Sequence, residues 1–266
     1  MMMSMACIGS ISAADDAQNS YECLIEPNQR IELRSSVEAL INKVTVERGD
    51  PVKKGQLLVE LDSGVERAAH EAAAYRSTME GETKTATTRL EYSTEKLKRR
   101  EELVKRSFIS TQERDDTLSE MRLADAELVQ AKDNKQLASL EQKKLKEILR
   151  LRTLNAPFDG VVTERLQQPG ELAFTGEGAK PILKLAQINP LRVEVILPLK
   201  LYGGIKTGSK AEIVPELPLK GKWQATVKIV DSVVDSASGT FGVRLELLNP
   251  KHDIPAGVKC NIYFPS

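Results

Sequence analysis

"LNAPFDGVVTERLQQPGEL", residues 154–172, decides the fold, because it repeats a pattern already met far upstream. Val161 and Val162 open a strand after a Pro-Phe-Asp-Gly turn. A charged segment follows, then Pro169-Gly170, then Glu171 and Leu172. Residues 44–62, "VTVERGDPVKKGQLLVELD", run in the same order: β-branched strand, charged turn, Gly55-Gln56, strand. Val and Thr favour strands, and the Gly and Pro positions make turns. The stretch between the two copies is of another kind. From Ser63 to Lys105 only Gly64 and Gly81 occur, and no Pro lies between Pro51 and Pro157. Two related β halves are therefore split by a helical insertion, so the helices interrupt a β domain.

The insertion carries heptads. Ser63 is a candidate N-cap, with Glu66 as its capping-box partner. Val65, Ala69, Ala72, Met79, Ala86, Leu90, Leu97 and Val104 form one stripe, with gaps at Arg76, Thr83, Ser93 and Arg100. Met121, Ala124, Leu128, Ala131, Ala138, Leu145 and Leu149 form a second, broken by Lys135 and Gln142. Each predicted helix of ~40 residues is ~60 Å long at 1.5 Å per residue. Alone, each leaves one narrow apolar stripe in water. Folded back as an antiparallel coiled coil, they bury both stripes and keep the charged faces solvated. "RREELVKRSFIS", residues 99–110, is the turn. There Phe108 and Ile109 are expected to plug the hairpin end, and Ser110 to cap the second helix through an amide of Gln112 or Glu113.

Short strands account for the rest. Ile31, Leu33, Val37, Leu40, Val44 and Val46 are spaced for half-buried strands, and Gly49-Asp50-Pro51 makes a turn in which Asp50 is a turn former. Asp159 is read the same way. Strands are predicted at Ile182 to Leu185 and across Leu191, Val193, Val195 and Leu197. Four more follow, in "SKAEIVPEL", "WQATVKIVDSV", "GTFGVRLELLN" and "VKCNIYF". Strands at this spacing predict a small barrel or sandwich.

Composition narrows the chemistry. Lys and Arg number 38, as do Asp and Glu, so net charge gives no footprint for nucleic acid. Three cysteines, Cys7, Cys23 and Cys260, and two histidines, His70 and His252, show no metal-ligand spacing. His70 is read as a solvated helix residue. No catalytic triad, metal cluster or Gly-rich phosphate loop stands out, so no catalytic residue and no cofactor are predicted. No apolar run approaches the ~20 residues of a membrane span. At the N-terminus, Ser12 and Ala14 suit positions −3 and −1 of a signal-peptide cleavage before Asp15, and a frayed terminus is the alternative.

The motifs in their order resemble the HlyD-like membrane fusion proteins, the periplasmic adaptor subunits of tripartite efflux pumps. The resemblance covers residues 24 to 264. "LINKVTVERGDPVKKGQLLVELD" and "LNAPFDGVVTERLQQPGEL" resemble the two halves of that family's lipoyl-like domain. "SASGTFGVRLELLNPKHDIPAGVKCNIYF" is similar to the end of its β-barrel. The fold class implied is mixed α and β: a split lipoyl-like β domain interrupted by a long antiparallel coiled-coil hairpin and followed by a small β-barrel. The boundaries are 1–23 for a signal-like or disordered lead-in, 24–63 for the first lipoyl-like half, 64–152 for the hairpin, 153–190 for the second half and 191–266 for the barrel. Departures are an end soon after the barrel, no visible N-terminal transmembrane anchor, and Ala39-Leu40-Ile41 where the family often has Gly; "SMAC" around Cys7 resembles a lipobox only faintly, without its Leu. The mode of attachment to the inner membrane stays open for these reasons.

The resemblance implies a non-enzymatic adaptor in the periplasm, associated with the inner membrane. It would link an inner-membrane transporter, of resistance-nodulation-division (RND) or ATP-binding-cassette type, to an outer-membrane channel, and self-associate, as a ring, for export of small molecules. Arg-x3-Leu-x6-Ser, which meets the channel in RND-type members, is matched by Arg99, Leu103 and Ser110, with Thr117 where Ala is frequent. The two chain ends meet near the barrel in that family, which makes Cys23 and Cys260 a candidate disulfide. Two alternatives are a coiled-coil spacer and a lipoyl-type carrier without a transport role. The carrier needs a modifiable Lys at the turn between the halves. The hairpin occupies that turn, and Lys53-Lys54 lies in another.

Overall fold

The computed structural model describes residues 20–219 and 221–265, so the expectations for residues 1–19, Cys7 among them, lie outside the described residues. The strands are β1 (Ser20–Leu33), β2 (Ala39–Val44), β3 (Pro51–Val52), β4 (Leu57–Leu61), β5 (Thr153–Asn155), β6 (Gly160–Arg165), β7 (Leu172–Ala173), β8 (Leu183–Pro198), β9 (Lys210–Pro215), β10 (Trp223–Val230), β11 (Thr240–Leu247) and β12 (Val258–Tyr263). The helices are α1 (Gly64–Thr78), α2 (Gly81–Lys105) and α3 (Thr111–Arg150), with a short 3-10 turn at Leu199–Leu201. The chain forms two compact units. One holds residues up to Ser35, Val44–Leu58 and Asn155 onward; the other holds Ser36–Lys43 and Val59–Leu154.

In the first unit the two related half-motifs pair with each other. β3 runs antiparallel to β6, with Pro51 opposite Val161 and Val52 opposite Gly160. Backbone bonds extend the clasp: Gly49 N to Val162 O at 2.8 Å, Val162 N to Asp50 O at 3.0 Å, and Gly55 N to Ala156 O at 2.7 Å. Asp50 is the expected turn former, its carboxylate accepting from Glu47 N. Asp159 does more than shape its own turn. Its carboxylate accepts the Lys54 amide at 2.7 Å and so ties one half to the other. Val46, Val52, Leu58, Phe158, Val162 and Leu185 are buried here.

Beyond the clasp, six strands close a barrel in the order β1-β12-β9-β10-β11-β8, with β8 pairing back to β1. Closure leaves no free edge. The core is apolar and alternates along each strand, with Ile25, Val193, Leu197, Ile213, Val227, Phe241 and Ile262 almost fully enclosed. Sequence patterning separated Ile182–Leu185 from the Leu191–Leu197 run, yet β8 is continuous across both. Its first part pairs with β1 from Gln29 to Leu33 and its second with Cys23 to Pro27, the register shifting between Pro27 and Gln29. The boundary at residue 24 therefore does not follow the packing. Cys23 and Ile25 belong to the barrel core, because a bulge lets one strand serve both layers. Cys23 also faces Cys260 across β1 and β12, with Cα atoms 4.8 Å apart and the two sulfurs joined.

In the second unit β5, β4 and β2 lie side by side and carry the hairpin. Leu61 N donates to Arg152 O at 2.8 Å, so the strands that enter and leave the insertion are neighbours. Ser63 is the N-cap of α1, but its side chain makes no capping bond. Glu66 is drawn away from the capping role by an ion pair with Arg152, in which both side chains are four-fifths buried. The first arm is two helices, α1 and α2, because Met79 is extended (φ −64°, ψ 130°). Val65 is 81% exposed and is not a seam residue.

Gly160 is the tightest point of the clasp. A Cβ there would lie 2.3 Å from the carbonyl oxygen of Ala186 and 3.1 Å from the Phe158 ring. Gly160→Ala is expected to cost about 2–3 kcal/mol through forced backbone movement, read as a lowered midpoint in thermal or urea unfolding.

Candidate functional site

Both arms of the hairpin bury small residues. Ala86, Ser93 and Leu97 are buried on α2, and Thr117, Ala124, Leu128 and Ala131 on α3. Ser93, a gap in the apolar stripe, and Thr117 are thus part of the seam. Ser93 Oγ donates to Arg89 O at 2.8 Å, and Thr117 Oγ1 to Glu113 O at 2.8 Å, so neither hydroxyl is left unpaired. The two breaks in the second stripe, Lys135 and Gln142, reach across the arms to Glu80 (3.1 Å) and Ser77 (3.1 Å). On the flanks, Arg89 pairs with Glu127 and Lys96 with Glu120. His70, expected in solvent, is half-buried with an enclosed Nε2 that has no hydrogen-bond partner.

The end of the hairpin is built by two caps in succession. α2 ends in a Schellman motif: Phe108 N bonds Leu103 O at 3.0 Å, and Ser107 N bonds Val104 O at 2.8 Å. Ser107 occupies the left-handed position (φ 61°) that such a cap requires. α3 then starts at Ser110, whose hydroxyl accepts the Glu113 amide at 3.2 Å, one of the two capping partners expected. Arg100 and Glu113 bridge the arms at 3.7 Å.

These caps determine what faces outward. Arg99 and Leu103 are one turn apart on the same side of α2. Arg99 is exposed, with its Nε donating back to Glu95 O at 3.3 Å. Leu103 is 36% exposed, and Ser110 is exposed on the far side of the turn. Phe108 does not plug the end. It is 71% exposed, at the residue that follows the left-handed Ser107, while Ile109 takes the half-buried position. The tip therefore offers two apolar side chains, one guanidinium and one cap hydroxyl. The Leu103-x4-Phe108 spacing is that of the apolar pair of a Schellman cap, which places both residues on the cap but not the degree of their exposure.

The other singled-out residues are dispersed. Lys53 and Lys54 sit in the β3–β4 turn, Lys53 N donating to Gln56 Oε1 at 2.9 Å. In a barrel loop, the Asp235 carboxyl is held below the usual carboxylate range, mainly by the amide of Ala237 with help from Ser238, the geometry of a turn former. Among the described residues no group of three His, Cys, Asp or Glu side chains could hold a metal ion, and no helix is long and apolar enough to cross a membrane.

A family model described as the RND MFP (membrane fusion protein) barrel-sandwich hybrid domain matches residues 29–185. Multidrug export protein AcrE of Escherichia coli is 25% identical over 243 residues, covering 85% of this chain and 58% of AcrE. Macrolide export protein MacA of Yersinia pestis is 25% identical over 229 residues, covering 84% of this chain and 61% of MacA. The chain thus spans about three-fifths of the length of these relatives. The crystal structure of MacA from Actinobacillus actinomycetemcomitans shares the fold with a TM-score of 0.73 at 20% identity, over 93% of this chain and 79% of that one. The membrane fusion protein Spr0693 of Streptococcus pneumoniae gives 0.64 at 16% identity, over 93% and 98%.

The two caps make opposite predictions for stability. Ser107→Gly relieves the left-handed strain and is expected to raise hairpin stability by about 0.5–1 kcal/mol. Ser110→Ala removes the cap bond and is expected to lower it by about 1 kcal/mol. Thermal melts followed at 222 nm check both.

Proposed function

The chain belongs to the RND membrane fusion protein family, and from that membership we propose that it is a periplasmic adaptor. In this reading it couples an inner-membrane transporter, of RND or ATP-binding-cassette type, to an outer-membrane channel for export of small molecules. It makes and breaks no bonds itself. It acts from the periplasm in association with the inner membrane, and copies of it assemble side by side, as a ring. The relatives named for multidrug and macrolide export support the transport role.

The observation that carries the reading is the hairpin tip. A helical hairpin of about 60 Å, set into a β unit by two neighbouring strands, ends in side chains that contribute little to its own packing. Leu103 and Phe108 together are apolar anchors for a groove between partner helices. Arg99 supplies a planar fork for carboxylates or carbonyls at the groove's edge. Ser110 keeps α3 capped at the surface where the partner sits. The lipoyl-type carrier is disfavoured, since Lys53 and Lys54 lie in the β3–β4 turn and the hairpin occupies the turn between the two halves.

Replacing Arg99 with Asp and Phe108 with Ser, in cells that depend on this pump, is expected to cut export at least tenfold. Cross-linking of the tip to the channel should fall with it, while the circular dichroism of the purified chain stays unchanged. Undiminished export and cross-linking in the folded double variant would sink the tip as a channel contact.

The periplasm is oxidising, which favours a bond between Cys23 and Cys260 on their paired strands. Alkylation of the denatured, non-reduced periplasmic protein should leave both unmodified, and alkylation of either one would show that the bond is absent.

A further inference from the structure

The first arm of the hairpin holds a register fault. On α1 the buried and half-buried stripe centres on Glu66, His70, Ala73 and Ser77. Continued with the same three-and-four step, it would reach positions 80, 84, 87 and 91. On α2 the stripe instead runs through Thr83, Ala86, Leu90, Ser93, Leu97, Arg100 and Val104. The second frame begins one residue early. α3 has no such fault: its stripe from Thr117 to Leu149 keeps step along one uninterrupted helix. The mismatch between arms is absorbed entirely at Met79 and Glu80.

The local chemistry favours a joint there. Ser77 and Thr78 turn their hydroxyls back onto the carbonyls of Ala74 and Tyr75, both at 2.8 Å, which competes with continuing the helix. Met79 N bonds Arg76 O, the tight closing bond of a terminating turn, and α2 restarts with Lys84 N to Glu80 O. Gly81 follows the break, and a Cβ on it would meet nothing within 4 Å. Opposite the break α3 presents the small Ala131, Asn134 and Ala138 between the longer Lys135, Leu137 and Glu141, and a half-open cleft of about 850 Å³ lies between the arms. Two polar links cross near this level, Ser77 to Gln142 and Lys135 to Glu80, and the largely exposed Glu80 carboxylate makes the second of little worth.

We propose that Met79–Gly81 is a built-in pivot, about which the tip-side hairpin (α2 with the facing part of α3) bends against the base-side part. A continuous two-stranded coiled coil resists bending because both seams stay in step. Here one arm is cut, its partner is unbroken, and the half-open cleft beside the cut leaves room for the arm to swing. Hinges of this kind absorb their change in a few element-terminal residues. The pivot does not depend on what the tip touches.

Hydrogen exchange on the full chain tests it first. Amides of residues 79–83 are expected to exchange at least tenfold faster than those of 87–97. Equal protection would overturn the pivot. Spin labels at Glu71→Cys and Glu91→Cys, in a chain whose three native cysteines are serine, report bending directly. A rigid straight arm gives one narrow distance near ~30 Å at 1.5 Å per residue. A broad or shorter distribution is expected, and the narrow one would end the idea. An alanine inserted between Met79 and Glu80, together with Gly81→Ala, brings the two frames into step. This variant should slow exchange at the joint at least tenfold and narrow the label distances. The same insertion after Glu91 breaks a frame that is intact and should raise exchange around it. A repaired chain no more protected than the native one counts against the register fault as the cause.

Discussion

Val52 and Gly160 lie far apart in the chain and sit opposite each other in one antiparallel pair, and the joining of the two half-motifs depends on that contact. Each half-motif alone is a strand, a turn and a strand with one apolar side. Neither has enough surface to bury, and a lone two-stranded piece is marginal in water. Joined by β3 and β6, by the amide of Gly55 on Ala156 and by Asp159 on the Lys54 amide, they make a closed unit. The cost is the entropy of closing the loop between them. That cost grows only with the logarithm of loop length, so a long insertion is tolerated. Because the insertion is a hairpin with its own internal pairing, much of the loop is ordered from within. Gly160 is where this constraint is tightest, and it is why the strand after Pro157-Phe158-Asp159 begins with a residue that has no side chain.

The same logic explains why the turn at 106–110 is available for other uses. A hairpin must end somewhere, and the end needs only caps. The Schellman motif at Leu103–Phe108 and the Ser110 cap satisfy the orphan backbone groups locally. No larger core is required, and Phe108 stays in water. An exposed Phe and a partly exposed Leu at the tip leave apolar surface in water that the backbone caps do not require. Ser107 adds to the same side of the balance, since glycine would hold its left-handed conformation with less strain.

How much of this was legible before the structure follows from the type of signal. Turn residues and β-branched runs located β3, β4 and β6 and the barrel strands, because those signals are local. The dual membership of β1 was not legible. Cys23, Ile25, Ile31 and Leu33 alternate in the same way whether they face one core or two, and only the bulge near Pro27 divides them. The tip caps were legible from Ser110 and Glu113, but Phe108 was misplaced, because apolar character alone does not distinguish a plug from a projection. The helical seam misled for a third reason. Ala69 and Ala72 fit one frame and Ala73 fits the next, so an alanine-rich stripe is compatible with either. Burial of Glu66 against Arg152 at the base pulls α1 into the second frame, and an ion pair across the hairpin carries no periodicity that a stripe of apolar residues could reveal.

A seam of this composition also limits what the hairpin can do alone. Buried alanines remove little apolar area, and each exposed ion pair such as Arg89–Glu127 or Lys96–Glu120 is worth under about 1 kcal/mol. Helices gain most of their stability from packing an amphipathic face, and these faces are narrow. The hairpin is therefore anchored chiefly at its base, where Glu66 pairs with Arg152 and the Leu61 amide holds the Arg152 carbonyl. The cut in the first arm lies between that base and the caps at the tip. A structure stiff at one end and weakly held along its length is poorly suited to hold a rigid reach by itself. It is well suited to adapt when a partner or a neighbouring copy supplies the missing contacts. The exposed side chains at 99, 103 and 108 lie at the end where such contacts add most to its order.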